Sequence, residues 1–588
     1  MTGSEYVAEF IHQMGCKRVY AVTGGACAFL IDAVAQHPDL DYVCFQHEQA
    51  AAMACDSVWR VRRTPGVAMA TSGPGATNLI TGIACSYFDS IPAIHLTGQV
   101  NKAESAAFFR TRVRQAGFQE TNIVEMVRPI TKYAVQVNSA DELRREIRIA
   151  YHCAVSGRMG PVLIDIPMNV QKDYAGDSVE YDEPSSETIA TQEEIAAVRD
   201  AIDGLLLRAK RPLVLLGAGL GLAGTSAAVI NWLRKQSLPF VSSWSGMSYF
   251  NHEDELYCGP IGVYGNRGAN YILQNCDALL VLGSRLDTRQ RSGRPKEFAP
   301  AAKVLVVDID GEELKKYRSD GYGVCQMNLA AIPQVLSSLA DAPALSSEWT
   351  RYIAEMKSTY SLWKDVLDHG AAGSEMSPYN VVRRLNGMIR RNAVVVADCG
   401  ANLCWVYQVF KRTEQVLYTA AGNSPMGYSL PAAIGAALEA PERQIISFIG
   451  DGGLQMNIQE LQTVVHYRLP IKLVVLNNRG YGIIKQFQDS YFGGRHEASG
   501  RGYSVPDFGK IARAYGICYQ EVTALDQLRE SVFERNEPYI IDVKLDEHTQ
   551  ILPKLEMGRP INDQFPYVSD EEFERGNAFV PFARRKTL

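Results

Sequence analysis

Residues 445–478 read IISFIGDGGLQMNIQELQTVVHYRLPIKLVVLNN. The run Ile445–Ile449 has the length and apolar content of a strand. It opens into Gly450-Asp451-Gly452-Gly453. Leu454–Tyr467 predicts a helix, and Ile471–Leu476 a second strand ending on Asn477-Asn478. Strand, glycine turn, helix and strand in this order imply a parallel α/β sheet. Glycines at a strand-to-helix turn let backbone N–H groups approach a phosphate, and the helix N-terminus favours its charge. Asp451 and Asn478 then stand at the carboxyl ends of two strands, where open α/β sheets bind ligands. A carboxylate and an amide oxygen suit Mg²⁺, which takes its remaining ligands from phosphates and water. A Gly-Asp-Gly turn alone fits any α/β protein; the ordered set is far more specific.

The same style extends outward. Short apolar runs alternate with longer amphipathic stretches at Val67–Ala70, Ile91–Leu96, Val162–Ile166, Leu213–Leu216, Ala278–Leu282, Val304–Val307 and Val394–Ala397. Two polar segments, 172–192 and 338–350, read as linkers. The expected architecture is three doubly wound α/β domains with parallel sheets, over 1–171, 193–337 and 351–588. The tail from about 550 is irregular and ends in a basic ARRKTL.

Bulk properties narrow the function. A chain of 588 residues exceeds what one core supports. A net charge of -6 without a basic stripe argues against nucleic acid. No uncharged apolar run of about 20 residues marks a membrane span. The N-terminus lacks a cationic start followed by an apolar core, so it does not read as a secretory signal. The 12 cysteines are scattered without metal spacing, as in a reduced, cytoplasmic protein.

Near the N-terminus, a strand Tyr42–Phe45 leads into Gln46-His47-Glu48-Gln49-Ala50 and a small-residue helix over Ala50–Ala54. Read alone, a Glu at a helix start is most often a cap or dipole partner. Its surroundings change that reading. Cys44–Ala50, Thr71-Ser72-Gly73-Pro74-Gly75-Ala76-Thr77-Asn78, Gly24-Gly25-Ala26, Thr97-Gly98-Gln99-Val100 and Gly117-Phe118-Gln119-Glu120-Thr121 resemble segments of the thiamine-diphosphate-dependent acetolactate synthase large subunits. The GDG…NN segment resembles the diphosphate and metal signature of the same family, and the resemblance covers nearly the whole chain.

The resemblance implies particular roles. Glu48 activates thiamine diphosphate, because a carboxyl in a dry pocket shares its proton with the aminopyrimidine ring, which then takes the proton from C2. Gly25, Phe118 and Gln119 line the reacting end. Asp451, Asn478 and the Gly480 carbonyl hold Mg²⁺. Met426 wedges between the cofactor's rings, with the Ser424 carbonyl on its amino group; a Met merely filling a core gap is the plain alternative. Gly75, Asn78, Gly400, Asn402, Gly450, Gly452, Gly453 and Ile483 contact the cofactor. The family's glutamate and diphosphate site come from different subunits, which implies a homodimer, or a tetramer built from it.

In the middle, Leu213–Leu216 runs into Gly217-Ala218-Gly219-Leu220-Gly221, and Val304–Val307 into Asp308. This outlines a dinucleotide fold, but only weakly. Gly262-Val263-Tyr264-Gly265 and Gly283-Ser284-Arg285-Leu286-Asp287-Thr288-Arg289 resemble the family's flavin-contacting segments. They imply FAD on Gly217, Gly219, Arg285, Arg289 and Asp308, with a vestigial or ADP-type site as the alternative.

Three departures bear on the substrate. Met168 stands where the family has an acceptor-channel lysine, and Phe487 where it has a tryptophan. The stretch between Val100 and Gly117 is longer and carries Lys102, Arg110, Arg112 and Arg114 with Phe108 and Phe109. Arg289 matches the arginine that holds the acceptor's carboxylate. The chain end resembles relatives from bacterial surface-sugar pathways. The expected activity is a transferase or lyase: decarboxylation of pyruvate, or another 2-keto acid, and transfer of the hydroxyethyl unit to a carbonyl acceptor such as a nucleotide-linked keto-sugar. Acetolactate synthesis from two pyruvates and simple 2-keto acid decarboxylation are the alternatives.

Overall fold

A computed structural model of the chain describes residues 1–179, 189–366 and 375–582. The centre of the first expected linker and the terminal ARRKTL lie outside the described residues. Three six-stranded sheets form, and every neighbouring pair within them is parallel. The first contains β1 (Arg18–Ala21), β2 (Asp41–Cys44), β3 (Gly66–Ala70), β4 (Ala93–Gln99), β5 (Tyr133–Gln136) and β6 (Val162–Pro167), in the order β2-β1-β3-β4-β6-β5.

The last contains β13 (Val394–Ala397), β14 (Val416–Tyr418), β15 (Ile445–Gly450), β16 (Lys472–Asn477), β17 (Cys518–Val522) and β18 (Tyr539–Lys544). Its order, β14-β13-β15-β16-β18-β17, repeats the topology of the first sheet. The middle sheet differs. Its strands are β7 (Pro212–Leu216), β8 (Phe240–Ser242), β9 (Tyr257–Pro260), β10 (Ala278–Leu282), β11 (Lys303–Asp308) and β12 (Gly323–Gln326), ordered β12-β11-β10-β7-β8-β9. Numbered within the domain, that is the 3-2-1-4-5-6 order of dinucleotide folds. In each sheet the strand order reverses beside the first strand: between β1 and β3, β7 and β10, and β13 and β15. Loops diverge there and leave a crevice.

The first and last domains share a core. Helix Glu48–Arg62 lies on helix Ser429–Glu439, and Ala50–Ala54 and Val58 join Leu430 and Ala432–Ala437 in one buried cluster. Small side chains permit the approach: a Cβ on Gly435 would lie 2.5 Å from the Ala54 carbonyl oxygen.

Two expectations change. The helix expected over Leu454–Tyr467 starts earlier, at Asp451, and is broken. It stops at Met456 and resumes as a 3-10 turn, Ile458–Glu460, followed by helix Leu461–His466. The break is Asn457, at φ −131°, whose buried amide donates to the Gly427 carbonyl at 2.8 Å. A short amide side chain committed to a distant backbone group competes with helix continuation. Secondly, the boundary drawn at 351 falls inside helix Ser347–Thr359. That helix turns Trp349, Tyr352 and Met356 into the core of the middle sheet, where Ile561, Val568 and Phe573 of the tail join them. The tail therefore returns to the middle layer.

Candidate functional site

The first half of the site lies at the β1/β3 crevice. Glu48 is the first residue of its helix, but the cap is His47, whose Nδ1 accepts the Gln49 N–H at 3.1 Å. The buried Glu48 carboxyl is free to turn away from the helix end. It accepts from Asn78 Nδ2 at 2.9 Å. A Cβ on Gly75 would stand 3.2 Å from Glu48 Oε1 and 2.8 Å from the Thr71 methyl, so glycine makes the carboxyl's space. Asn78 and Gly75, expected on the cofactor, are thus the walls around Glu48. Gly24 packs on Thr71, while Gly25 faces open space. Gln119, at φ +60°, lies over Gly73, and Phe118 is 85% exposed.

The 101–117 stretch leads directly into Phe118 and Gln119. Glu120 clasps it by accepting from the N–H groups of Ala106 (2.9 Å), Ala116 (2.9 Å) and Gly117 (3.2 Å). Lys102 N–H donates to Asn169 Oδ1 at 3.0 Å, which ties the stretch to the residue beside Met168. Phe108 and Phe109 are more than half exposed and meet edge-on. Arg110, Arg112 and Arg114 are exposed. Phe487 meets Tyr491 at a tilt and Phe492 edge-on, all three on helix Gly482–Phe492.

The second half lies at the β13/β15 crevice. Because the helix starts at Asp451, the amides of Asp451, Gly452 and Gly453 fall in its first turn, where N–H groups lack helical partners. Asp451 is buried, and burial pushes its carboxyl up; the Tyr503 hydroxyl (2.6 Å) and the Gly480 N–H (3.4 Å) draw it back. Gly452 sits among Met426, Tyr481 and Tyr503. Gly400 adopts φ +79°, ψ −149°, a region open to glycine, and starts the helix that carries Asn402; Ile483 lies 4.0 Å from where its Cβ would be. Gly450 faces open space.

Both side-chain polar atoms of Asn402 and the Nδ2 of Asn478 are buried without a hydrogen-bond partner. Buried polar atoms are ordinarily satisfied. Orphaned amide donors fit the oxygens of a bound diphosphate, and the buried Asp451 carboxylate fits its cation.

Sequence reasoning did not find what holds the Ser424–Met426 turn. Ser424 adopts φ +51°. Asp398, directly after β13, accepts from the N–H groups of Gly427 (3.0 Å) and Tyr428 (2.9 Å). Burial pushes its carboxyl up to about 7 against those bonds. A Cβ on Gly453 would lie 1.9 Å from Asp398 Oδ2, so the second glycine of the Gly452-Gly453 pair serves this acid. Asp89 of the first domain accepts from Ala421 and Gly422, and is held by Arg60 at 2.8 Å. The one available signal was an Asp immediately ending an apolar run.

At the β7/β10 crevice is a cavity of about 670 Å³, bordered by Gly219, Arg285, Arg289, Asp308 and Trp244. That volume lies within the range of ligand sites. Gly217 does not border it; its hydrogen packs against the Gly283 carbonyl, 2.0 Å from where a Cβ would stand. Asp308 ends the fifth strand of the domain rather than the second, the usual ribose position. Among the described residues His12, His37 and Asp39 also converge. Both His37 ring nitrogens are already engaged, with Glu9 and with the Asp39 N–H. No helix among the described residues is long and apolar enough to cross a membrane.

Three parallel sheets, a Gly-Asp-Gly helix start and a walled-in glutamate define a thiamine-diphosphate enzyme, and comparison with known families agrees. Residues 1–126, 199–335 and 398–543 match the N-terminal TPP binding domain, central domain and C-terminal TPP binding domain of the thiamine pyrophosphate enzymes. The acetolactate synthase isozyme 2 large subunit of Escherichia coli is 32% identical over 562 residues, covering 95% of this chain and 98% of that protein. The isozyme 1 large subunit is 33% identical over 569 residues, covering 95% and 96%. A probable acetolactate synthase large subunit of Methanocaldococcus jannaschii is 32% identical, covering 93% and 92%. The chain belongs to the acetolactate synthase family of thiamine-diphosphate-dependent carboligases.

Proposed function

We propose that this enzyme decarboxylates pyruvate and transfers the two-carbon hydroxyethyl unit to a carbonyl acceptor larger than a second pyruvate, with a nucleotide-linked keto-sugar as the acceptor class. The observation that carries the acceptor reading is the clasped 101–117 stretch. It presents Arg110, Arg112 and Arg114 with the exposed Phe108 and Phe109, and leads directly into Gln119, which lies on Gly73 beside the Glu48 half of the site. Guanidinium groups suit a diphosphate, and aromatic faces suit a base. Thiamine diphosphate, when bound, supplies the carbon nucleophile. The protein's part is to hold and share a proton at Glu48, to orient that carboxyl through Asn78, and to keep the pocket dry.

Asp451, Asn478 and the Gly480 carbonyl are the proposed Mg²⁺ ligands, and Asn402 the amide that meets the diphosphate. Glu48 and Asn78 bond within the first domain, and Asp451 with Tyr503 and Gly480 within the last. A homodimer that pairs the two halves across subunits completes the site. Twelve free cysteines fit a reducing, cytoplasmic setting.

Mass spectrometry of products from pyruvate with a panel of acceptors tests the reading. Replacing Arg110, Arg112 and Arg114 together by Ala is expected to raise the sugar acceptor's KM about tenfold, since exposed charged bonds are partly screened. Pyruvate decarboxylation should stay near the parental rate. The second reading, acetolactate from two pyruvates, draws on Arg289 at the cavity wall. It wins if acetolactate forms at full speed from pyruvate alone and no sugar competes.

FAD is the proposed occupant of the 670 Å³ cavity. The strand order, the close approach of Gly219 to Gly283 and the cationic Arg285 and Arg289 support it. Decarboxylation and ligation need no net redox step, so the flavin serves structure. Purified protein is expected to be yellow and to release FAD on denaturation. Release of ADP or of no nucleotide refutes the flavin and leaves the thiamine reading intact.

A further inference from the structure

The turn that presents Glu48 is gripped from outside its own domain. Glu460 closes the 3-10 turn Ile458–Glu460 of the last domain and is completely buried. Its two carboxylate oxygens accept the Gln46 N–H at 3.2 and 3.3 Å. Thr463 Oγ donates to it at 2.7 Å, and the His47 backbone N–H also favours its ionised form. Gln46 and His47 are the two residues before Glu48. Neighbouring bonds run the same way: Cys44 N–H donates to the Tyr467 hydroxyl at 2.8 Å, and Gln49 Nε2 reaches Asn457 Oδ1 at 3.5 Å.

A buried carboxylate is costly unless a cation or hydrogen bonds compensate it. Among the described residues Glu460 has no ion pair. Burial pushes its carboxyl up to about 7, with Thr463 and the backbone N–H groups drawing it back. Its compensation is therefore the backbone of the 46–47 turn, together with Thr463. Core stability alone does not account for it, because an apolar residue of similar volume would fill the same space without that cost.

We infer that Glu460 is a positioning residue for Glu48: from the last domain it fixes the backbone of the 46–47 turn and so sets where the Glu48 carboxyl stands. This rests on the reading of Glu48 as the activating acid. Gly75 and Asn78 confine the carboxyl from one side, and Glu460 fixes the backbone that delivers it from the other. In Glu460→Gln the amide keeps one acceptor oxygen but presents N–H to a backbone N–H. The turn must then shift, and a displacement of about 1 Å costs a catalytic group about 10²-fold in rate.

The experiment measures three quantities on the holoenzyme: hydrogen–deuterium exchange at C2 of bound thiamine diphosphate, cofactor affinity by calorimetry, and Tm. Glu460→Gln is expected to slow C2 exchange about 10- to 100-fold with cofactor affinity held within about threefold. Thr463→Val, which keeps the carboxylate and removes one of its bonds, should slow exchange less, about threefold. Glu48→Gln runs alongside. If Glu48→Gln slows exchange and Glu460→Gln leaves it parental, the positioning role is refuted while Glu48 stands. If exchange is parental in Glu48→Gln, the reading of Glu48 fails and this inference with it. Should Glu460→Gln not fold, Thr463→Val decides, and parental exchange there overturns the proposal.

Discussion

Glu48→Gln is expected to lose about 10²–10⁴ in turnover, the range for a missing acid–base group, while folding and binding cofactor as the parent does. Glutamine is isosteric and its amide oxygen still accepts from Asn78, 2.9 Å from the present carboxylate. Gly75 leaves the same space for it. The amide cannot share a proton with the cofactor's ring, so only the proton step suffers. Steady-state kinetics with calorimetry of cofactor binding checks both halves. Turnover within a few-fold of the parent, at unchanged affinity, removes Glu48 from the mechanism.

Asp451→Ala should fail in the opposite way. It removes a buried carboxylate and strands the Tyr503 hydroxyl, which donates to it at 2.6 Å. Losing one partner of a buried charged set costs about 3–5 kcal/mol, or roughly 10²–10⁴-fold in affinity for the metal–diphosphate group. Raising Mg²⁺ and cofactor should restore much of the rate, because Glu48 is untouched. Calorimetry that finds parental affinity defeats the metal assignment; rescue by excess cofactor in Glu48→Gln would undo the contrast between the two residues.

The central strands were readable where both faces are apolar, as in β7, β10, β13 and β15. The edge strands β5, β12 and β17 are half exposed, so their sequences YAVQ, GVCQ and CYQEV carry no apolar run. β18 is hidden for another reason. Asp542 interrupts it, and only the fold supplies the Asn477 amide (2.9 Å) and Tyr519 hydroxyl (3.0 Å) that satisfy the buried acid. The site divides similarly. Glu48, Asp451 and Asn478 sit in local patterns with their own signature. Asp398, Asp89 and Glu460 act on backbone groups far along the chain, and no local spacing encodes such a partner. The broken helix at Asn457 belongs with them, since its cause is the carbonyl of Gly427.

The contact between Ala54 and Gly435 bears on how such enzymes recombine. One helix begins with Glu48, and the other follows the turn that carries Met426. The two meet with room for a hydrogen atom and nothing larger. A crossover between related genes that draws these helices from different parents must match a small residue on one side to a bare backbone on the other.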